Sequence, residues 1–275
     1  MNICTTPPQS FSHLKQTEKM KKDKLIELLR DDEYYYNGKG RELVSVSHID
    51  LITKTPELYI KFLAGQYTSP TTTPMILGGA LHTEVLEGRD ALTDKYEVIN
   101  IQGRGTKIFK EYNAKGKIKL TTPEYLNLNQ WHEALKTKEN DPDIFQMLNP
   151  VLWDVEVPNT IQILGVDWKG KADLVTDDCV YDLKTTSDIA KFKYSAYKYG
   201  YDSQAWLYSK MFGLEVKFIV VDKVTLQVGV FECSQTFLDS GRAKIEATSI
   251  FVRDYITPTL DGDDKVSGIV NREIL

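Results

Sequence analysis

The chain has 275 residues, 41% of them apolar, and a formal charge of −5 from 34 Lys+Arg against 39 Asp+Glu. This composition suits a globular protein with a sizeable core; it contains no run of about 18 apolar residues to cross a membrane. The acidic balance argues against a passive nucleic-acid coat, and the three scattered cysteines, Cys4, Cys179 and Cys233, argue for a reducing compartment and against a zinc or iron–sulfur site.

Residues 1–18 read as a loose polar arm without the charged start and apolar core of a secretory signal. Leu25, Leu28 and Leu29 at helical spacing predict a short amphipathic helix, and NGKG at 37–40 breaks it. Helices are expected over SHIDLITK, capped by Ser47, and over PELYIKFLAG, with a loop at 66–74. MILGGALHTEVLEG carries an apolar stripe of Leu77, Leu81 and Val85 and a stop at Gly88. KYEVIN predicts a strand, residues 101–121 an irregular basic stretch with a helix near IFKEYN, and Thr122-Pro123-Glu124 the start of a further helix. A short helix over PDIFQML follows.

The period then changes to two. VLWDVEVP, TIQILGVDW, GKADLVT and CVYDLKT are four strand-like runs separated by turn signals. Helices at IAKFKYSAYKYG and YDSQAWLYSKMFG, strands at EVKFIVVDK and LQVGVFEC, and a long helix over about 235–256 complete the chain. The order predicts one α/β domain, a central mixed sheet with helices on its faces. Residues 1–74 are expected to form an arm and helical region packing on the core, 75–257 the core itself, and 258–275 a polar tail.

The chemistry concentrates in KADLVTDDCVYDLKTT, residues 171–186. With Asp177-Asp178 as a two-residue turn, paired residues sum to 355 and Asp173 falls opposite Asp182, their Cβ atoms about 5 Å apart. Lys184 is then on the same face, while Ala172, Leu174, Tyr181 and Leu183 face a core. Two carboxylates that close repel unless a cation lies between them, and oxygen-rich clusters suit Mg²⁺ or Mn²⁺. Metal, two acids and a lysine are the parts of metal-assisted phosphodiester hydrolysis. The same spacing also fits an exposed hairpin with solvated charges, and the residues alone leave both readings open.

LGGALHTEVLE, the strand carrying Glu156, GKADLV, VYDLKTT and YDSQAWLY occur in that order. Together with ELVSVSHIDLITKTPELYIKFLAG, the set resembles the PD-(D/E)XK nuclease superfamily, in the branch of RecB-type nucleases and RecE-like (exonuclease VIII-like) phage exonucleases. The resemblance covers about residues 43–232. It implies a restriction-endonuclease-like core in which Asp173, Asp182, His82 and the Leu183 carbonyl bind Mg²⁺, with Mn²⁺ able to substitute. Glu156 would bind the metal directly or through water, Lys184 would position water or stabilise charge, and Gln204 and Tyr208 would line the site. Ala172 replaces the motif's proline, which is often missing in the superfamily.

The resemblance further implies resection of double-stranded DNA ends, 5′→3′, beside a RecT-like single-strand annealing protein. A ring-like homo-oligomer in the cytoplasm of a bacterium or phage-infected cell goes with it, with no membrane partner. Rival readings are an endonuclease or Cas4-like nuclease, for which the scattered cysteines lack the iron–sulfur pattern, and a catalytically silent DNA-binding or assembly module. Lys169 and Lys171 flank the motif and are candidates for holding phosphates; His13, His48 and His132 read as structural or surface residues.

Overall fold

The computed structural model describes residues 21–138, 141–149, 151, 153–262 and 266. The expected arm with Cys4 and His13, and most of the expected tail, lie outside them; Thr257–Leu260, at the tail's expected start, is helical. The centre is a five-stranded sheet in the order β3-β4-β5-β6-β7: Asp154–Ile163, Val166–Val175, Cys179–Thr186, Glu215–Asp222 and Val228–Glu232. It is mixed, since β5 and β6 pair in parallel and the other neighbours antiparallel. The parallel pair requires a crossover, which the Phe192–Lys198 and Tyr201–Phe212 helices supply. As expected, helices cover both faces of this mixed sheet.

The four strand-like runs fold as three strands. Pro158 and Asn159, which suggest a break, pair with Lys171 and Gly170 inside β3. Proline is tolerated there because β3 is an edge strand. The true turn is Leu164-Gly165, with φ of 50° and 85°, as a two-residue hairpin loop requires. A small parallel sheet, β1 (Tyr96–Ile99) with β2 (Ile118–Thr121), confirms the strand in KYEVIN and adds one the reading of 101–121 lacks. β2 has four residues, too few to show a period, but Leu120 and Thr121 are buried and Thr121 caps the Thr122–Lys136 helix.

Two apolar cores sit on the two faces. Val180, Val216, Phe218 and Val220 pack with the Tyr201–Phe212 and Gln235–Phe251 helices and with Ile52 and Tyr59 of the N-terminal helices. Tyr181, Leu183, Ile219 and Val221 pack with Leu81, Leu128 and Trp131 on the other face. The apolar run from Phe218 to Val221 in β6 follows from burial on both sides. Among the described residues, no helix is long and apolar enough to cross a membrane.

The β4–β5 hairpin decides the rest. Its register is the expected one, with Leu174 opposite Tyr181 and Val175 opposite Val180, but the ladder has only these two pairs. Beyond them the strands part. Val44 fills part of the edge that β5 leaves, bridging to Trp168; its N–H donates to Asp167 O at 3.0 Å and its carbonyl accepts from Lys169 N at 2.7 Å. The N-terminal helical region is thereby tied to the sheet.

Candidate active site

Asp173 lies where β4 and β5 part. Its Oδ2 accepts the backbone N–H of Leu183 at 2.7 Å, so the carboxylate occupies the gap between the strands. This corrects the expected facing pair: the 355 register runs out before Asp173 and Asp182, and the two acids do not oppose each other in a ladder. It also corrects the shared core face. Leu174, Tyr181 and Leu183 join one core, whereas Ala172 joins the other.

The Thr73–His82 helix brings its last residue to this gap. His82 Nε2 lies 2.6 Å from Leu183 O, to which it can only donate, and Nδ1 lies 3.3 Å from Asp173 Oδ2. Glu156 arrives from β3 in a left-handed conformation, φ 49°, and is skipped by the β3–β4 ladder. Such a conformation in a non-glycine residue costs on the order of 1–3 kcal/mol and is tolerated where surroundings over-determine it. One ligand atom from each of His82, Glu156 and Asp173 lies within 4.8 Å of the others.

The electrostatics of this group are those of acids short of positive charge. Burial, then the Asp173 charge, pushes the Glu156 carboxyl up to about 7. Burial disfavours the His82 imidazolium, yet the Asp173 carboxylate outweighs it and pushes the ring up to about 9. Burial likewise opposes the Asp173 carboxylate, and His82 overcomes it to hold that group below the usual range. The two carboxylates suit Mg²⁺ or Mn²⁺, while an imidazole is the donor of a softer divalent ion; His82 would have to give up its proton to ligate. The residues present therefore fit a divalent cation.

Asp182 lies one step further along β5 and is 1% exposed. It stands outside the three-residue group. Lys184 forms an ion pair with Oδ1, and Gln204 Nε2 donates to Oδ2 at 2.5 Å. Burial and the Asp173 charge push the Asp182 carboxyl up to about 6, with Lys184 opposing. For Lys184, burial favours the neutral amine, but Asp182 and Asp173 together raise its pKa above the ordinary lysine value. Tyr201 lies beneath the ammonium, its ring centroid 4.7 Å from Nζ. Gln204 also donates to Tyr208 OH at 3.2 Å, and Tyr208 donates to Lys171 O at 2.7 Å. Gly170 admits that tyrosine: a Cβ there would lie 2.6 Å from Tyr208 Cε1.

A model of the PDDEXK-like domain of unknown function (DUF3799) matches residues 45–252, about three-quarters of the chain. The chain belongs to this PDDEXK-like family. The fold is similar to a crystal structure from Eubacterium rectale described as a "putative exonuclease": TM-score 0.60, 17% identity, covering 89% of this chain and 95% of that one. The structure of SSO0001 aligns over 45% of this chain and 69% of its own at 17% identity and a TM-score of 0.27, which carries no argument. No curated protein matches the chain.

This PDDEXK-like core brings together the site residues that the resemblance implies. His82, Glu156, Asp173 and Leu183 form one contact group, and Asp182, Lys184, Gln204 and Tyr208 a second beside it. The Leu183 carbonyl, expected to face metal, accepts from His82. Lys169 is not a free phosphate binder: it is 3% exposed, donates to Tyr35 O and lies 3.9 Å from the Tyr35 ring centroid. Lys171 donates to Asp32 Oδ1 at 2.6 Å. The Asp32–Tyr36 helix thus abuts the site, a placement with no sequence signal because it rests on contacts more than 130 residues apart.

Proposed function

We propose that this protein is a Mg²⁺-dependent exodeoxyribonuclease that resects linear double-stranded DNA from its 5′ ends. The observation that carries the reading is the buried Lys184–Asp182 pair placed next to the His82, Glu156 and Asp173 group. End-dependence draws support from the likeness in fold to the Eubacterium rectale structure described as a "putative exonuclease". Polarity, recombination beside an annealing protein and a ring-like assembly rest on the RecE-like resemblance.

A divalent cation held by Asp173, His82 and Glu156, with Asp182 alongside, would supply a Lewis acid and a more acidic bound water. The residues of the chain do the rest. Lys184, buried against Asp182, is placed to stabilise charge developing on the phosphate. Gln204 fixes the rotamer of Asp182, and Tyr208 and the Lys171 carbonyl fix Gln204.

The test is digestion of end-labelled linear duplex with Mg²⁺, beside a closed circular duplex. We expect the linear substrate to release its 5′ label first and the circle to survive. Asp182→Asn and Lys184→Ala should each lower cleavage by about 10²-fold or more, the scale of a lost electrostatic stabiliser. Equal cutting of the circle would overturn the end-dependence, and full activity in both variants would overturn the site.

A further inference from the structure

Lys184 and His82 open onto a cleft of about 1060 Å³. Three lysines, Lys184, Lys191 and Lys223, line it with one aspartate, Asp188, which pairs with Lys191 at 2.9 Å. Beside it runs KFKYSAYKY, residues 191–199. Phe192 and Ala196 bury themselves in the core one helical turn apart, which leaves the lysines and tyrosines outward. Tyr199 is 61% exposed, and Lys198 Nζ lies 5.5 Å from its ring centroid. Its own centroid is 6.0 Å from that of Tyr201, the ring beneath Lys184. Rings therefore step outward from the candidate active site: Tyr201 partly buried, then Tyr199 in the open.

We propose that this cleft holds a single-stranded polynucleotide, with a base stacked on Tyr199 and backbone phosphates against Lys198 and Lys223. The occupant rests on the nuclease reading above. Positive lining selects a polyanion, and an exposed ring with cations beside it is the arrangement on which unpaired bases stack. A base inside a duplex is covered by its neighbours on both sides, so the ring reaches only unpaired nucleotides. Tyr199 is thus a positioning residue, holding the strand whose phosphate reaches Lys184.

The experiment measures anisotropy of a labelled twelve-nucleotide oligothymidylate in EDTA at fixed salt, with a covalently closed circular duplex, which has no unpaired bases, for comparison. Tyr199→Ala should weaken oligothymidylate binding about tenfold or more, while Tyr199→Phe binds as wild type does. The closed duplex should bind both variants equally. Unchanged oligothymidylate binding by Tyr199→Ala, an equal loss in Tyr199→Phe, or an equal loss for the closed duplex would each overturn the proposal. Cleavage by the wild type is scored separately. Tyr199-dependent binding without cleavage under any divalent metal would sink the nuclease reading alone. Cleavage with Tyr199-independent binding would sink this proposal alone.

Discussion

The carboxylate of Asp173 accepts the backbone N–H of Leu183 at 2.7 Å. This bond stands where the next rung of the β4–β5 ladder would be. A side chain thereby satisfies a backbone donor that the parted strands leave buried, and the gap gives His82 access to both residues. Asp173→Ala should leave Leu183 N–H unpaired and cost about 1–3 kcal/mol in urea denaturation. Asp173→Asn keeps an acceptor and should cost less. Calorimetric titration should show weakened Mg²⁺ binding in both. Equal destabilisation by the two substitutions would mean that the acceptor is unimportant.

Tyr208 is 6% exposed and tied by its hydroxyl to Lys171 O. Gly170→Ala would place a Cβ 2.6 Å from Tyr208 Cε1 and 3.1 Å from Met211 Sδ. The ring must shift, at about 1–3 kcal/mol, and Gln204 shifts with it, so DNA cleavage should fall as well. Tyr208→Phe removes the hydroxyl but keeps the ring. It should cost about 1 kcal/mol and leave the clash with Gly170→Ala in place. A double-mutant cycle on melting temperature and cleavage rate checks this.

Gly241 lets the Gln235–Phe251 helix meet the Tyr201–Phe212 helix that carries Gln204 and Tyr208. A Cβ at 241 would lie 2.0 Å from Asp202 O, a backbone atom that cannot rotate away. Gly241→Ala should destabilise by about 3 kcal/mol or more. Gly78→Ala is the contrast. Its Cβ meets nothing within 4 Å in a helix interior, and a gain of about 0.5–1 kcal/mol is expected. Denaturation midpoints of the two variants should move in opposite directions.

His48 accepts the Ser45 N–H at Nδ1, 3.3 Å, with its ring against Tyr59 and Phe62. Burial, with Lys169 adding, lowers its pKa from 6.5 to about 4. Because the folded value lies below the unfolded one, the unfolded chain binds the extra proton between them. Stability from this residue is complete above about pH 6.5 and is lost as pH falls through about 4. His48 is only partly buried by area, so the loss is on the order of 1–2 kcal/mol. His48→Asn keeps a neutral acceptor and should flatten urea stability over that pH range. An unchanged slope would show that other groups carry it.

The sequence by itself picked out the residues that gather in the candidate site and most of the elements that hold them. Period-two runs bounded by turn residues marked the sheet, and the spacing of Gln204 and Tyr208 placed both on one helix face. The hairpin register followed from two-residue turn arithmetic, because side-chain period and turn length leave no slack. Three things were decided only in the tertiary structure. The parting of β4 and β5 after two pairs depends on what fills the gap, and Asp173 and Val44 fill it from different parts of the chain. The left-handed turn at Glu156 carries no glycine or asparagine to announce it, since its surroundings hold it there. The seat of Asp32, Tyr35 and Tyr36 against Lys169 and Lys171 is a long-range packing contact, to which local pattern is blind. Local periodicity sets the faces of strands and helices; which faces meet, and where a ladder ends, depends on the whole folded chain.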